Sequence, residues 1–329
     1  MSGTSNTGRT AVRLPKQARH VLIGVNPTAG AGRHGHLVGN LAELLRLQGF
    51  QVELVTEIEQ LATRIDRGWC SGALRMVVAA GGDGTVAQVA NHLENRIPIC
   101  VLPLGTENLL AKYLQLPADA AALAEVIEQG WTVRLDAGCA DGRLFLLMLS
   151  CGIDAEVVRR AHSVRRGNIT HLHYAKPIVQ SLRSYKYPKL IVRVEEIVGE
   201  QQAVAGATEV RWVFVANLPR YAGGLQFVPD AVGTDGLLDV CTFRGGSWWH
   251  SLRYLGGVVT GQHRHWADCR TFRAKRLHIA TDSEVPYQLD GDPGGMLPVN
   301  VEVLPARVTC VVNSSWARTH GFELQVTDS

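Results

Sequence analysis

Met76-Val77-Val78-Ala79-Ala80-Gly81-Gly82-Asp83-Gly84-Thr85 is the stretch that decides the fold. Its apolar run is short and ends in glycines, so it reads as a buried strand stopped by a tight turn. Beyond the turn, Val86, Val89, Ala90 and Leu93 fall on one face of a helix. A strand that passes through glycines into a helix is the repeating unit of a parallel sheet covered by helices.

The same unit recurs on both sides. Val21–Val25 is a β-branched run followed by Asn26-Pro27-Thr28-Ala29-Gly30, and Leu37, Leu41, Leu44 and Leu45 then recur at helical spacing. Gln51–Val55 is the next strand, and Leu61-Ala62 opens a helix. Ile97–Leu102 is another strand, ending in Pro103-Leu104-Gly105-Thr106-Glu107-Asn108 before a further helix. In such sheets the ligand lies beyond the carboxyl ends of the strands, where all three glycine turns fall.

Near Asp136 the texture changes. Val133–Leu135, Leu144–Leu149, Leu190–Val194, Trp212–Ala216, Leu238–Phe243, Arg276–Ile279 and Val299–Leu304 read as strands with few helices between them. The fold class expected is therefore α/β: an N-terminal parallel-sheet nucleotide-binding domain and a second, mostly antiparallel β-sandwich domain. The expected bounds are 19–136 for the first domain and 137–311 for the second, with 312–329 packing back on the first. Residues 1–18, rich in Ser, Thr, Gly and Arg, read as a disordered tail. Val308–Val312 is a last strand that could join either domain.

Composition narrows the class. The chain has 329 residues, 46% of them hydrophobic and 19% charged, which suits two globular domains. A net charge of +3 is too mild to imply a nucleic-acid partner. The seven cysteines are scattered without metal-ligand spacing and read as buried free thiols in a reducing compartment. No apolar run is long enough for a membrane-spanning helix, and the N-terminus has no signal-like core. The expectation is a cytoplasmic protein that meets membranes only at their surface.

Glycine turns at strand ends suit phosphates. Glycine lets backbone approach closely, and the helix that follows offers free N–H groups and partial positive charge. Three such turns in one sheet point to a phosphate-rich ligand. Asp83 beside polyphosphate implies Mg²⁺ or a hydrogen-bonding partner. The bland alternative is a tight turn with an Asp helix cap. Gly30-x-Gly32-x-x-Gly35 also matches a dinucleotide fingerprint, with Glu57 as its acidic partner. That reading leaves the other two turns unexplained, and no Walker A lysine follows.

Together the Asn26–Gly30, Gly81–Thr85 and Leu102–Asn108 motifs resemble the catalytic domain of diacylglycerol kinases, sphingosine kinases and their bacterial lipid-kinase relatives. The Gly-Gly-Asp-Gly element is shared with NAD kinases and phosphofructokinases. Pro229–Asp239 resembles the family's D-G-x-L-D stretch, and Gln288–Pro293 its D-G-E-P stretch. The resemblance runs from about Val21 to about Val312. It implies ATP held in a cleft by Asn26, Pro27, Thr28, Ala29, Gly30, Thr56, Gly81, Gly82, Asp83, Gly84, Thr85, Gly105 and Thr106. It implies a structural Mg²⁺ on Asp235 and the carbonyls of Val232 and Leu237. The family's catalytic base falls on Asp292, with Asp83 organising Mg²⁺ or the attacking group. Two departures stand out: Asp292 replaces a Glu, and Glu107 stands where the family has a small residue.

The activity implied is transfer of the ATP γ-phosphate to a lipid hydroxyl, diacylglycerol first. A sphingoid base or ceramide as acceptor, NAD phosphorylation and a non-catalytic nucleotide- or lipid-binding protein remain alternatives, with an NAD(P)-dependent oxidoreductase more distant. The implied partners are a lipid alcohol and a membrane surface, with a homodimer possible. Other features carry less. His171-x-His173 and His263-x-His265 lack an obvious third ligand. Trp248, Leu252, Leu255 and Val259 share one helix face, read first as core packing and otherwise as a stripe facing a membrane or acyl chain. Arg159, Arg160, Arg165 and Arg166 read as a solvated helix face or as attraction to anionic head groups.

Overall fold

The computed structural model describes residues 9–25, 35–93, 96–163, 178, 180, 181, 183–197 and 207–326. The chain divides into two compact units, Met1–Leu135 with Arg307–Ser329, and Asp136–Ala306.

The first unit opens with β1 (Thr10–Arg13), β2 (His20–Val25), α1 (Gly35–Leu47), β3 (Gln51–Val55), α2 (Ile58–Cys70) and β4 (Leu74–Gly81). It continues with α3 (Asp83–His92), β5 (Ile99–Pro103), α4 (Leu109–Tyr113) and α5 (Ala120–Gln129), and β6 (Trp131–Ala140) leads out of it. β2 pairs in parallel with β3 and with β4, and β4 pairs in parallel with β5. The strand order β3-β2-β4-β5 brings the carboxyl ends of four strands to one edge. All eight residues of β4 are buried, as a strand covered on both faces must be. Helix faces supply the cover: Val38, Leu41, Ala42 and Leu45 of α1, and Val86, Val89 and Ala90 of α3.

The N-terminal segment differs from the tail expected of it. Thr10–Arg13 pairs in parallel with β17 (Glu323–Gln325) and antiparallel with the start of β6. Buried Arg75 fixes the segment that follows, donating to the carbonyls of Pro15, Ile127 and Glu128. These partners lie 50 or more residues away, beyond the reach of local pattern. The C-terminal helix α8 (Ser314–Thr319) belongs to the same unit, and its buried Trp316 donates from Nε1 to the Tyr113 carbonyl at 2.5 Å.

The second unit holds β7 (Arg143–Phe145), β8 (Met148–Cys151), α6 (Ile153–Ser163), β9 (Leu190–Ile197), β10 (Ala207–Val210) and β11 (Trp212–Ala216). It adds β12 (Leu238–Phe243), α7 (Trp248–Thr260), β13 (Cys269–Ala280), β14 (Pro286–Leu289), β15 (Asp292–Met296) and most of β16 (Val299–Val312). Its strand pairs are antiparallel, among them β8–β11, β11–β12, β12–β13, β9–β13, β8–β14 and β14–β15. The twofold strand period sorts β11 between two cores. Val213 and Val215 face one with Val240, Leu277 and Val299, while Trp212, Phe214 and Ala216 face another with Phe243 and Tyr254. Val299–Leu304 and Val308–Val312 are one strand, β16, whose Cys310 pairs in parallel with Ile99 of β5.

α7 forms where its residues direct, but it turns the other way. Ser247 caps its start and Gly261, at φ 73°, ends it. Ser251, Tyr254, Gly257 and Val258 are the buried face. Trp248, Leu252, Leu255 and Val259, read first as core, are exposed. Helical spacing marks a stripe and does not say which stripe is covered.

All seven cysteines are free, and only Cys70 is exposed. Among the described residues, no helix is long and apolar enough to cross a membrane.

Candidate active site

The first unit gathers two glycine turns at the ends of β4 and β5. They pack backbone on backbone: a Cβ on Gly105 would sit 2.5 Å from the Gly82 Cα and 2.9 Å from Asn108 Oδ1. A Cβ on Gly81 would strike the Thr85 side chain, 2.3 Å from its hydroxyl oxygen. The Leu104 N–H donates to the Gly81 carbonyl at 3.0 Å. Neither turn has room for any residue but glycine at these points.

Asn108 locks the second turn. Its Oδ1 accepts from the Gly105 N–H and its Nδ2 donates to the Gly105 carbonyl, both at 2.8 Å. Asn108 itself is left-handed at φ 51°, a conformation asparagine tolerates. Glu107 and Thr106 lie on this loop, half-buried and exposed. Thr56 follows the end of β3 and is exposed. Asn26, Pro27, Thr28, Ala29 and Gly30 lie outside the described residues.

Asp83 joins the two turns. Its Oδ2 accepts from the Leu109 N–H at 2.9 Å and its Oδ1 from the Leu110 N–H at 3.0 Å. It therefore caps α4 from a strand end 26 residues earlier in the chain. Burial pushes its carboxyl up, the two amides pull it back, and nearby Glu107 adds to the rise. Both oxygens accept from amides, the hydrogen-bonding partners and helix cap that the sequence offered as alternatives to Mg²⁺.

The second unit contributes a different group. Asp290 and Gly291, at φ 52° and 89°, form the two-residue turn joining β14 to β15, where Leu289 pairs with Asp292. An Asp-Gly pair is a strong hairpin signal because both residues accept positive φ. The Asp290 carboxylate accepts from three consecutive amides, Leu146, Leu147 and Met148, at 2.6–2.9 Å. Fully buried Gln288 accepts from Gly291 N at 2.7 Å and donates to Ser150 Oγ at 2.9 Å, and Ser150 donates on to Asp154. Burial raises the Asp154 carboxyl, with the Ser150 and Tyr221 hydrogen bonds opposing. The turn is thus fixed from several sides. It presents Asp292 at the first position of β15, one-third exposed, with Oδ1 3.0 Å from His162 Nε2 at the end of α6.

The 229–239 segment is pinned by Asp136. That buried carboxylate accepts from Gly236 N and Ala306 N, each at 2.7 Å, while Asn217 donates to the Asp136 carbonyl. Asp235 Oδ1 accepts from Leu237 N at 3.1 Å, and the Val232 carbonyl accepts from Thr234 N. Arg273 lies 3.3 Å from Asp239 and 3.8 Å from Asp235. Burial raises the Asp239 carboxyl; Arg273 opposes this, and Asp235 and Asp230 add to it. A carboxylate with two backbone carbonyls is a hard oxygen set that fits Mg²⁺, and the crowded acids here favour a cation. Among the described residues, no group of three or more His, Cys, Asp or Glu side chains could hold a metal.

The other candidates resolve simply. His263 is buried between the Phe227 and Gly257 carbonyls, a packing role, while His171 and His173 lie outside the described residues. Arg159 and Arg160 both pair with buried Glu156, and Arg165 and Arg166 lie outside the described residues.

Comparison with known proteins places this arrangement. A family model described as the diacylglycerol kinase catalytic domain matches residues 20–140. A second, described as the YegS C-terminal NAD kinase beta sandwich-like domain, matches residues 147–312. The chain belongs to the diacylglycerol kinase catalytic-domain family. Among its relatives, a diacylglycerol kinase of Mycobacterium tuberculosis is 29% identical over 237 residues, 70% of this chain and 74% of the relative. Diacylglycerol kinases of Staphylococcus carnosus and Bacillus subtilis are each 26% identical, covering 87% and 86% of this chain and 92% of each relative. A crystal structure of a diacylglycerol kinase from Bacillus anthracis shares the fold, with TM-score 0.65 and 20% identity over 90% of this chain and 98% of that one.

Within the family frame, four positioning residues carry no role in the sequence reading: Asn108, Asp136, Asp290 and His162. Asn108 was legible as an asparagine just before a helix. Asp290 was legible as the aspartate of an Asp-Gly hairpin. Asp136 and His162 give no signal, because their partners are brought to them only by the fold.

Proposed function

We propose that the chain is an ATP-dependent lipid kinase that transfers the γ-phosphate to a lipid hydroxyl, with diacylglycerol as acceptor and phosphatidic acid as product. The observation that carries the reading is the pair of interlocked glycine turns at adjacent parallel strand ends, with Asp83 fastening them to the start of α4. Amides at Gly82–Gly84, at the N-terminus of α3, suit a polyphosphate. Asn26–Gly30, Thr56 and Thr106 would complete the nucleotide contacts.

Asp292 is the group we assign as base. Phosphoryl transfer needs positioning and charge stabilisation more than covalent help. Asp292 accepts the proton of the lipid hydroxyl as that oxygen attacks the γ-phosphate, and ADP leaves. Aspartate is one methylene shorter than the family's glutamate. The rigid Asp290-Gly291 turn and the His162 contact are what this chain has to place it.

Asp235 and the carbonyls of Val232 and Leu237 would hold Mg²⁺. The ion would supply positive charge that ties the acidic 230–239 segment together. ATP itself enters with magnesium as substrate. Contact with a membrane surface follows from the acceptor, which does not leave the bilayer readily.

Radiolabelled ATP offered with diacylglycerol, a sphingoid base, ceramide and NAD in turn tests the reading. Label in phosphatidic acid is the expected result. Label in NAD, or none in any lipid, would overturn it.

A further inference from the structure

We propose that α7 is a membrane-docking helix whose apolar face enters the surface of an anionic lipid bilayer. Eleven large hydrophobic side chains are exposed among the described residues, and five of them are on this one helix: Trp248, Trp249, Leu252, Leu255 and Val259. Four of the five follow the i, i+4, i+7, i+11 spacing of a single stripe. Trp249 is 64% exposed and Val259 69%. The two indoles stack at 3.9 Å between centroids. Stacking leaves one broad aromatic edge at the helix start, the side-chain type enriched where water meets lipid.

The helix is held firmly on its other face. Tyr254 is fully buried, donates to Asp268 and accepts from the Gly245 N–H, and Gly257 is packed so closely that a Cβ would strike the Trp266 ring. The apolar stripe is thus a fixed feature and cannot fold inward.

Charge selects the occupant. α7 contains no acidic residue, and from Ser247 to Arg270 the only one is Asp268, which is already engaged by Arg253 and Tyr254. Exposed Arg244 and Arg270 lie in the adjoining sequence, while Arg264 is paired with Asp230. An apolar stripe beside cationic residues fits an anionic bilayer. A twofold pairing of this face with a second copy would set the same arginines against one another. The proposal rests on the reading that the acceptor is a lipid.

The test compares the wild type with Trp248→Ser/Trp249→Ser and, separately, Val259→Asp. Each is sedimented with vesicles of phosphatidylcholine alone and of phosphatidylcholine mixed with phosphatidylglycerol. Each is also assayed on a short-chain, water-dispersed diacylglycerol. Vesicle binding should weaken at least about tenfold in both variants, more visibly on the anionic vesicles, because apolar insertion supplies much of such binding. Transfer to the dispersed acceptor should match the wild type, since the substitutions are on the surface. Equal vesicle binding by variants and wild type would overturn the docking role. So would variants that lose only self-association, seen as a lower mass in sedimentation equilibrium. Absence of transfer in every protein, with vesicle binding still lost in the variants, would remove the kinase reading and leave the docking surface intact.

Discussion

His162 Nε2 lies 3.0 Å from Asp292 Oδ1, where the last turn of α6 meets the first residue of β15. That nitrogen is shielded from solvent and has no hydrogen-bond partner among the described residues, so Asp292 is the polar group it faces. The imidazole thus lies against the Asp292 carboxyl and limits where that short side chain can sit. His162→Ala should lower kcat by roughly tenfold to a hundredfold, less than the ~10²–10⁴-fold that a general base itself contributes, and leave KM for ATP unchanged. His162→Gln, which keeps a polar side chain of similar reach beside Asp292, should recover part of the loss. Steady-state kinetics check this; an unchanged kcat in both variants would remove His162 from the reaction.

The contact between the two glycine turns gives a second expectation. Gly105→Ala places a methyl 2.5 Å from the Gly82 backbone, which cannot rotate away as a side chain could. Overpacking of this kind costs about 1–3 kcal/mol. Urea unfolding should show that loss, and calorimetric titration should show weakened ATP binding. Wild-type values in both would mean that the turns do not bear on each other.

Asp83 acts at a distance from its own helix. Asp83→Ala removes the acceptor for two amides at the start of α4 and should cost about 1–2 kcal/mol, as loss of a helix cap does. Asp83→Asn keeps one carbonyl oxygen and should cost less. If the aspartate were instead a metal ligand, both variants would fold as stably as the wild type and differ only in magnesium dependence.

Asp239 supplies a pH test of the cation site. Its carboxyl titrates above its ordinary 3.8, so it holds a proton more tightly folded than unfolded. Stability from this group therefore falls as pH climbs from 3.8 through the folded value, then levels off. A cation on neighbouring Asp235 would offset the repulsion that appears when Asp239 ionises. The rise in Tm on adding Mg²⁺ should be larger at about pH 8 than at about pH 5. Asp235→Asn should abolish the difference. An equal rise at both values, or a rise that survives Asp235→Asn, places the ion elsewhere.

The parallel sheet was legible because its strands are short apolar runs stopped by glycine, as at Met76–Thr85, and such runs need no distant partner to be recognised. The glycine turns at their ends followed from the same pattern, whereas the sheet order β3-β2-β4-β5 came only with the pairing. What stayed hidden depends on long-range pairing. Thr10–Arg13 looks like a polar tail until β17 and β6 supply its ladder. The Asp83 amides are 26 and 27 residues away, and those of Asp290 more than 140. α7 was misjudged for another reason: the same apolar spacing serves a buried face or an exposed one, and only Tyr254 and Gly257, packed against Asp268 and Trp266, decide between them.

The most direct test is the rate of labelled-phosphate transfer from ATP to diacylglycerol by Asp292→Asn, measured beside the wild type at saturating ATP. The substitution keeps size and turn geometry and removes only the base. A fall of at least about a hundredfold with ATP still bound is the expected result. Transfer at the wild-type rate would contradict the account.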